Sequence, residues 1–424
     1  MPEIPFPRGV RDLMPNEALF RNELLKRVES VFQLFGFSTI DTPSFESLSV
    51  LKAKNAIGED TKLIYELKDE SLGLRYDFTV SLARYMAMHQ ELPMPFKRYQ
   101  IGKVWRREEP QKLRYREFTQ ADADIVGGNK ALADAEAVAV GAYALESIGL
   151  DYVIEINDRA MMEMVLEKLG VGSKLFMGAA RALDKLEKIG ADKVSESLGA
   201  LGIGSDTIDS VVKLTKNKGT NEDKLTYVDK LLGDANATKD LRNTLAALAQ
   251  YGMHGEAVVD FSLMRGLDYY SGIVFEFKAK NDPKGPSIAA GGRYDNLVGM
   301  FAGKQMPAVG VSLGIERILE MLNYSKSLKC SYARVFVAYV NERNYGYALK
   351  VANRLRSKGI ETEINLSQRN LANQLAHANS LKAEYAAIVG DVEEKAGTLK
   401  LHNLTNGEEQ VLSPDDAAES IRGG

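Results

Sequence analysis

The chain has 424 residues, 45% of them hydrophobic and 26% charged, a balance that excludes wholesale disorder and fibrous repeats and calls for two or three domains. With 54 Lys and Arg against 58 Asp and Glu the net charge is −4, which excludes a globally cationic surface but leaves room for a local basic strip. One cysteine, Cys330, and four scattered histidines (His89, His254, His377, His402) exclude an internal disulfide framework and a cysteine-ligated zinc site.

No apolar run reaches the ~18 residues of a membrane helix, and the start, Met1 to Pro5, lacks the charged and apolar stretches of a leader. A soluble, reduced, cytoplasmic protein with no membrane partner is therefore expected. Phe20, Leu24, Val28, Val31, Phe32 and Phe35 recur at helical steps and predict an amphipathic helix over 17–35, stopped by Gly36. A strand over 37–41 ends at Pro43, and short strands over 62–67 and 73–77 flank a turn at 69–73. A helix follows over 79–89. Runs 98–105 and 117–126 then read as a long hairpin around the charged connection 106–116, where a rigid scaffold could carry a functional loop.

A helix over 132–148 and a strand over 151–157 come next. Between 160 and 250 the composition turns rich in Lys, Asp and Leu, with a polar break at 216–221, and reads as a helical insertion. Strands over 256–261, 273–279 and 286–290 precede a helix over 310–323 and a polar linker over 325–330. The remainder alternates: strand 334–339, helix 344–358 stopped by Gly359, strand 361–365, helix 368–380, strand 385–389, and strands near 397–403 and 409–412. That alternation implies a small α/β domain with a mainly parallel sheet. The hairpins and helices before it imply an α+β domain, an antiparallel sheet with flanking helices. The expected division is 1–159 with 251–325, an insertion at 160–250, and a last domain at 331–424.

The hairpin is the most informative stretch. Lys97, Arg98, Lys103, Arg106, Arg107, Lys112, Arg114 and Arg116 stand against Glu108, Glu109 and Glu117, a local cationic excess suited to a polyanion. Arg106 and Glu108, two apart at a strand end, and Phe118, opening the returning strand, could place a phosphate clamp, a base partner and a stacking ring on one face. A second segment runs from Arg265-Gly to Tyr269-Tyr270 and on to Glu276. If the strand has begun there, the two tyrosines point to opposite faces. A third, Ala289-Ala-Gly-Gly-Arg-Tyr-Asp295, reads first as a turn, with close backbone approach to a ligand as the alternative. In a fourth, an apolar strand from Ala308 runs through Gly310 and Gly314 into a helix bearing Arg317. Close helix–strand packing explains the glycines, and a nucleotide contact would explain the arginine. The chain has neither GxxxxGK[ST] nor a GxGxxG after a strand, so any nucleotide would be held by arginines on an antiparallel sheet.

Taken together these segments resemble the class II aminoacyl-tRNA synthetases and, within them, the histidyl-tRNA synthetase family, over nearly the whole chain. Pro7 to Asp12 looks like the family's N-terminal signature. The helix 17–35 with Gly36 to Pro43 looks like motif 1, Trp105 to Gln120 like motif 2, and Gly310 to Arg317 like motif 3. Arg265 to Tyr270 and Ala290 to Asp295 are similar to two peptides peculiar to the histidine enzymes. The resemblance implies a ligase that uses ATP with Mg²⁺ to form histidyl-adenylate and then charges tRNA(His), working as a homodimer. It implies Arg106 on the α-phosphate, Glu108 on the adenine amino group, Phe118 under adenine, Arg114 on the β- and γ-phosphates, and Arg317 over the other ring face. Asp77, Thr79 and Gln120 would take the substrate's α-amino group, Asp124 and Tyr270 the imidazole, with Tyr269 and Tyr294 completing that slot. Arg265, with Arg106 the candidate catalytic pair, would sit beside the histidine carboxylate and the α-phosphate. The last domain would bind the anticodon and the insertion would overlie the acceptor arm, with Lys213, Lys216 and Lys218 as phosphate contacts. A non-catalytic, histidine-binding regulatory subunit of ATP phosphoribosyltransferase is the alternative.

Overall fold

The computed structural model describes residues 4–52, 58–68, 70–111, 113–253, 255–265, 269–322, 330–367 and 369–423. Asp69 of the expected turn, Lys112 of the hairpin, His254, residues 266–268, most of the linker and Gln368 lie outside the described residues. Two compact units are formed, 1–11 with 24–322 and 12–23 with 323–424.

The chain opens with helix α1 (Pro15–Leu34), close to expectation, and buries Leu24, Val28, Val31 and Phe32. Of the strand expected at 37–41 only β1 (Ser38–Thr39) pairs, in parallel, with the long strand further on. A small sheet follows from β2 (Phe45–Ser47), β3 (Tyr65–Glu66) and β4 (Leu72–Leu74), with the short helix α2 (Leu48–Leu51). The first half of the strand expected at 62–67 is instead the end of a 3-10 turn, Gly58–Leu63. Helix α3 (Thr79–Met88) leads to the hairpin β5 (Phe96–Trp105) and β6 (Glu117–Val126), then α4 (Lys130–Ser147) and β7 (Tyr152–Asp158).

The next stretch is all helix: α5 (Arg159–Lys168), α6 (Phe176–Leu183), α7 (Leu186–Ala200), α8 (Ser205–Thr215), α9 (Asn221–Leu232) and α10 (Lys239–Gln250). Thr220, at the polar break, caps α9 in a reciprocal capping box with Asp223. Strands β8 (Ala257–Val259), β9 (Ile273–Ala279), β10 (Ala289–Arg293) and β11 (Ala308–Gly314) return to the sheet, with α11 (Asp295–Ala302) between the last two and α12 (Ile315–Met321) after them. The helix expected over 310–323 therefore begins only at Ile315. Val309, Val311 and Leu313 alternate with Gly310, Ser312 and Gly314, a two-residue period that fits a strand and not a helix.

These strands build an eight-stranded sheet in the order β1-β5-β6-β11-β10-β9-β7-β8, antiparallel except at its two edges. Its two faces differ in chemistry. Register brings Gln120, Asp122 and Asp124 of β6 opposite Gly102, Gln100 and Arg98 of β5, and opposite Gly314, Ser312 and Gly310 of β11. This polar face continues through Gly292 of β10 and Glu276 of β9. The other face carries Ala121, Ala123, Val311, Leu313, Phe275 and Phe277, all buried. Alanine-rich α4 packs on that side so closely that a Cβ on Gly141 would stand 2.9 Å from Val311 Cγ2.

The remaining unit holds β12 (Val335–Tyr339), α13 (Tyr345–Ser357), β13 (Thr362–Ile364), α14 (Leu371–Leu381), β14 (Tyr385–Val389), α15 (Asp391–Ala396), β15 (Leu399–Asn403), β16 (Glu409–Leu412) and α16 (Pro414–Gly423). Its five strands run β13-β12-β14-β15-β16, a parallel trio completed by two antiparallel strands.

Candidate active site

The charge-rich hairpin separates into two populations. Lys97, Lys103, Arg114 and Arg116 are engaged by Glu136, Glu117, Glu108 and Glu109, and Arg98 is fully buried with Nη2 2.6 Å from Asp124 Oδ2. Arg98, counted in the cationic excess, is instead a buried partner of Asp124, because register sets it across from that carboxylate. Arg106 behaves differently. It leaves the end of β5, donates from Nε to Tyr76 O at 3.1 Å, and lays its guanidinium over the Phe118 ring at 5.1 Å.

Three further arginines bring charge to the same place. Arg114 Nη1 reaches Glu108 Oε2 at 3.2 Å. Arg317, from α12, donates Nη1–H to Ser287 O at 2.8 Å. Burial and then the neighbouring guanidiniums of Arg114 and Arg106 push its pKa down, opposed by Glu276 and Glu108. Arg265 donates from Nη1 to Glu276 Oε1 at 2.6 Å and sits 5.7 Å from the Tyr270 ring centre. Burial alone would depress its pKa, but Tyr270 and Glu276 outweigh it and hold the guanidinium firmly charged. Glu276 faces both Arg265 and Arg317, and Arg317 in turn faces Arg114 and Arg106, so guanidiniums from three distant stretches are linked through Arg317 and Glu276. Mutually repelling, partly desolvated arginines form a site for a multiply charged anion.

Beside them lies a narrow polar slot. Asp77 Oδ1 accepts the backbone N–H groups of Thr79 at 3.1 Å and Val80 at 3.3 Å, which fixes its carboxylate at the start of α3. Gln120 Nε2 donates to Ser312 Oγ at 2.7 Å. Tyr294 donates its hydroxyl to Asp124 Oδ1, whose other oxygen faces Arg98. Asp124 is thereby oriented from two sides.

Tyr269 and Tyr270 precede β9, and their rings lie against one another at 4.9 Å, so the expectation that they diverge to opposite faces does not hold. Tyr269 also meets Tyr294 edge-on at 6.0 Å. All three phenols have pKa values raised, by burial first, and stay protonated as donors.

The glycines explain why the slot exists. A Cβ on Gly310 would stand 1.9 Å from Asp124 Oδ1, and one on Gly292 would stand 2.8 Å from the Tyr270 ring. Both are strand positions where any side chain would displace Asp124 or Tyr270. Gly291, by contrast, points to the apolar face, where a Cβ would lie 2.5 Å from Phe275. The Gly-Gly pair is therefore part packing and part pocket, within strand β10 and not in a turn.

Sequence reasoning passed over Asp122. It is 3% exposed, its Oδ1 has no hydrogen-bond partner, and it lies between Gln120 and Asp124 on the polar face. Burial first, then Asp124, pushes its pKa up to about 8, with Arg98 and Ser312 pulling down and Asp77 adding to the rise. The two-residue alternation of Gln120, Asp122 and Asp124 was the available signal. Arg98, Glu276 and Ser312 were passed over as pocket residues too, and their placement follows only from strand register.

An antiparallel sheet whose polar face gathers arginines from a hairpin loop and from the helix after its last motif strand defines a class II aminoacyl-tRNA synthetase catalytic domain. The comparisons narrow the class. A family model for histidyl-tRNA synthetase matches residues 9–318, and one for an anticodon binding domain matches 334–423. The chain is 39% identical to the histidine--tRNA ligase of Aeropyrum pernix over 98% of its length and 97% of the relative's. It is 38% identical to that of Korarchaeum cryptofilum over 94% of each. The crystal structure of histidyl-tRNA synthetase from a Nostoc species superimposes with a TM-score of 0.87 at 29% identity, covering 99% of both chains. The chain belongs to the histidyl-tRNA synthetase family.

Proposed function

We propose that the chain is an ATP-dependent ligase that joins histidine to tRNA(His) in two steps at this one site. The observation that carries the reading is the convergence of Arg106, Arg114, Arg265 and Arg317 beside a slot lined by Asp124, Tyr270 and Tyr294. In the first step the histidine carboxylate attacks the α-phosphorus of ATP. A carbon–oxygen–phosphorus bridge forms, the α–β phosphoanhydride breaks, and pyrophosphate leaves. The carboxylate is already ionised at neutral pH, so no general base is required. What the protein supplies is alignment and neutralisation of phosphoryl charge. In the second step a terminal ribose hydroxyl of the tRNA attacks the adenylate carbonyl and AMP departs.

Arg106 takes the α-phosphate, with Phe118, already stacked on its guanidinium, as the adenine platform. Arg114 and Arg317 serve the outer phosphates, and Glu108 the adenine amino group. Arg265 bridges the substrate carboxylate and the α-phosphate. Asp77, Thr79 and Gln120 receive the α-ammonium. Asp124, oriented by Arg98 and Tyr294, accepts an imidazole N–H, while Tyr270 and Tyr269 close the slot. Such hydrogen-bonded recognition of both ring nitrogens rejects apolar analogues by roughly 10⁴-fold or more. Mg²⁺ accompanying ATP would add neutralising charge. Glu276, facing two arginines of the cluster, offers the hard oxygen donor that such an ion takes.

Residues 1–159 with 251–325 make the catalytic domain in this reading, 160–250 the insertion over the acceptor arm, and 331–424 the anticodon-binding domain. In that last domain Arg334, Arg343 and Arg354 are ion-paired with Glu384, Asp391 and Asp415, so phosphate contacts there require exchange of partners. The protein works in the cytoplasm as a homodimer. No described helix is long and apolar enough to cross a membrane. The retained arginines and the anticodon-domain match favour this reading over a non-catalytic regulator. Histidine-dependent ATP–pyrophosphate exchange, with the other amino acids as controls, tests it. Exchange with histidine alone is expected, and exchange with none, or with several equally, would overturn it.

A further inference from the structure

The helical stretch between β7 and β8 reaches the arginine cluster at one point. Helix α6 is followed by its C-terminal cap residue Asp184, whose own N–H bonds to Ala180 O at 2.9 Å, and α7 starts two residues on. The Asp184 side chain is not spent on capping that turn. Its Oδ1 accepts the backbone N–H of Arg265 at 2.7 Å, across 81 residues of sequence.

Arg265 is a special backbone position. Its φ is +56°, in the left-handed region, shared among described non-glycine residues only with Leu113 and Lys382. A residue bearing a Cβ is disfavoured there and stays only where its surroundings hold it. On the chain side it follows Leu263, whose carbonyl accepts Asn157 Nδ2–H at 2.9 Å. On the other side the holding group is the Asp184 carboxylate. The turn fixed in this way sends the side chain back to Glu276 and the Tyr270 ring. A second carboxylate of the same elbow, Glu187, pairs with Lys278 of β9, which also lies 3.0 Å from Glu155. The α6–α7 elbow is thus fastened twice, once to the sheet at Lys278 of β9 and once to the backbone of Arg265 in the loop before it.

We propose that Asp184 is a positioning residue for adenylate formation: the elbow of the helical insertion holds the Arg265 backbone in the conformation that aims its guanidinium at the reacting groups. The proposal rests on the reading of Arg265 as the arginine beside the histidine carboxylate and the α-phosphate. It makes the insertion part of the first chemical step. A tilt of the elbow becomes a displacement of Arg265, and a displacement of about 1 Å at a reacting group costs on the order of 10²-fold in rate.

The test is pyrophosphate exchange on the full-length protein. Asp184→Ala is expected to lower kcat by about 10²-fold while the KM values for ATP and histidine change little. Asp184→Asn retains an acceptor oxygen and is expected to restore most of the rate. In an Arg265→Ala background Asp184→Ala is expected to add no further loss, because both act through one guanidinium. Glu187→Ala, which cuts the neighbouring tether, should leave kcat near wild type. If Asp184→Ala does not fold, Asp184→Glu, which shifts the acceptor by one methylene, takes its place with the same expected loss. A wild-type kcat in whichever of these two variants folds, or losses that multiply in the Arg265→Ala background, would overturn the proposal. A normal rate for Arg265→Ala itself would instead defeat the reading of Arg265, and the proposal with it.

Discussion

The two ends of the chain treat charge in opposite ways. In the sheet-bearing region Arg98, Arg293, Asp77, Asp122, Asp124 and Asp134 are all buried. Among the described residues from 330 to 423 the buried polar side chains are Asn344, Asn365 and Gln374, every one a neutral amide. There the ions pair at the surface, as in Arg334–Glu384 at 2.8 Å and Arg354–Asp415 at 2.7 Å. Burying a charge is expensive unless it is paired, and exposed pairs contribute at most about 1 kcal/mol. Where the chain bears the larger cost, Asp77, Arg98, Asp122 and Asp124 gather at the polar face of the sheet, while Arg293 and Asp134 fasten β10 to α4. Recognition of a large polyanion needs no such interior, and the second region has none.

The largest test of this contrast is Arg265→Ala, expected to reduce pyrophosphate exchange by about 10²–10³-fold with the fold unchanged by circular dichroism. Full retention of exchange would remove Arg265 from the chemistry. Deletion of 331–424 should then act in the opposite sense, reducing tRNA charging by roughly tenfold or more while histidine activation stays near normal. Parallel losses in both assays would erase the division of labour. Tyr270→Phe should raise the KM for histidine by about tenfold, the loss of one hydrogen bond to a polar partner, and leave that for ATP alone.

The smallest effect concerns pH. The folded chain holds the Asp122 proton up to about pH 8, far above the unfolded carboxylate. Its contribution to stability is therefore complete below about pH 4 and is lost as the pH rises towards 8. Asp122→Asn removes this titration. Its Tm should fall less than wild type between pH 6 and pH 9, by a few degrees in calorimetry. Identical pH profiles would place Asp122 outside the buried charge balance.

Much of this was readable beforehand, and the rest was not, for identifiable reasons. Strands β9, β14 and β16 lie where they were expected, over Ile273–Ala279, Tyr385–Val389 and Glu409–Leu412. Helix α12 was started five residues early because Gly310, Ser312 and Gly314 leave the apolar signal of β11 thin. Helices α11 and α16 went unpredicted, being short and ending the chain or following a motif read for its chemistry. Arg106, Arg265 and Arg317 could be picked out as residue types in telling segments. What sequence could not provide was partnership at a distance: that Arg98 faces Asp124, or that Asp184 holds a backbone N–H 81 residues away.

Gly292 and Gly310 carry one more consequence. At both, the wall of the polar slot is main chain, so every one-step replacement can only subtract room, never add it. Under the proposed reading, drift towards a bulkier amino acid is closed off along those two strands and would have to proceed through Tyr294 or Asp124. These are the groups whose loss also unravels the charge balance with Arg98. On that reading the choice of amino acid is guarded by positions that natural variation can damage but cannot loosen.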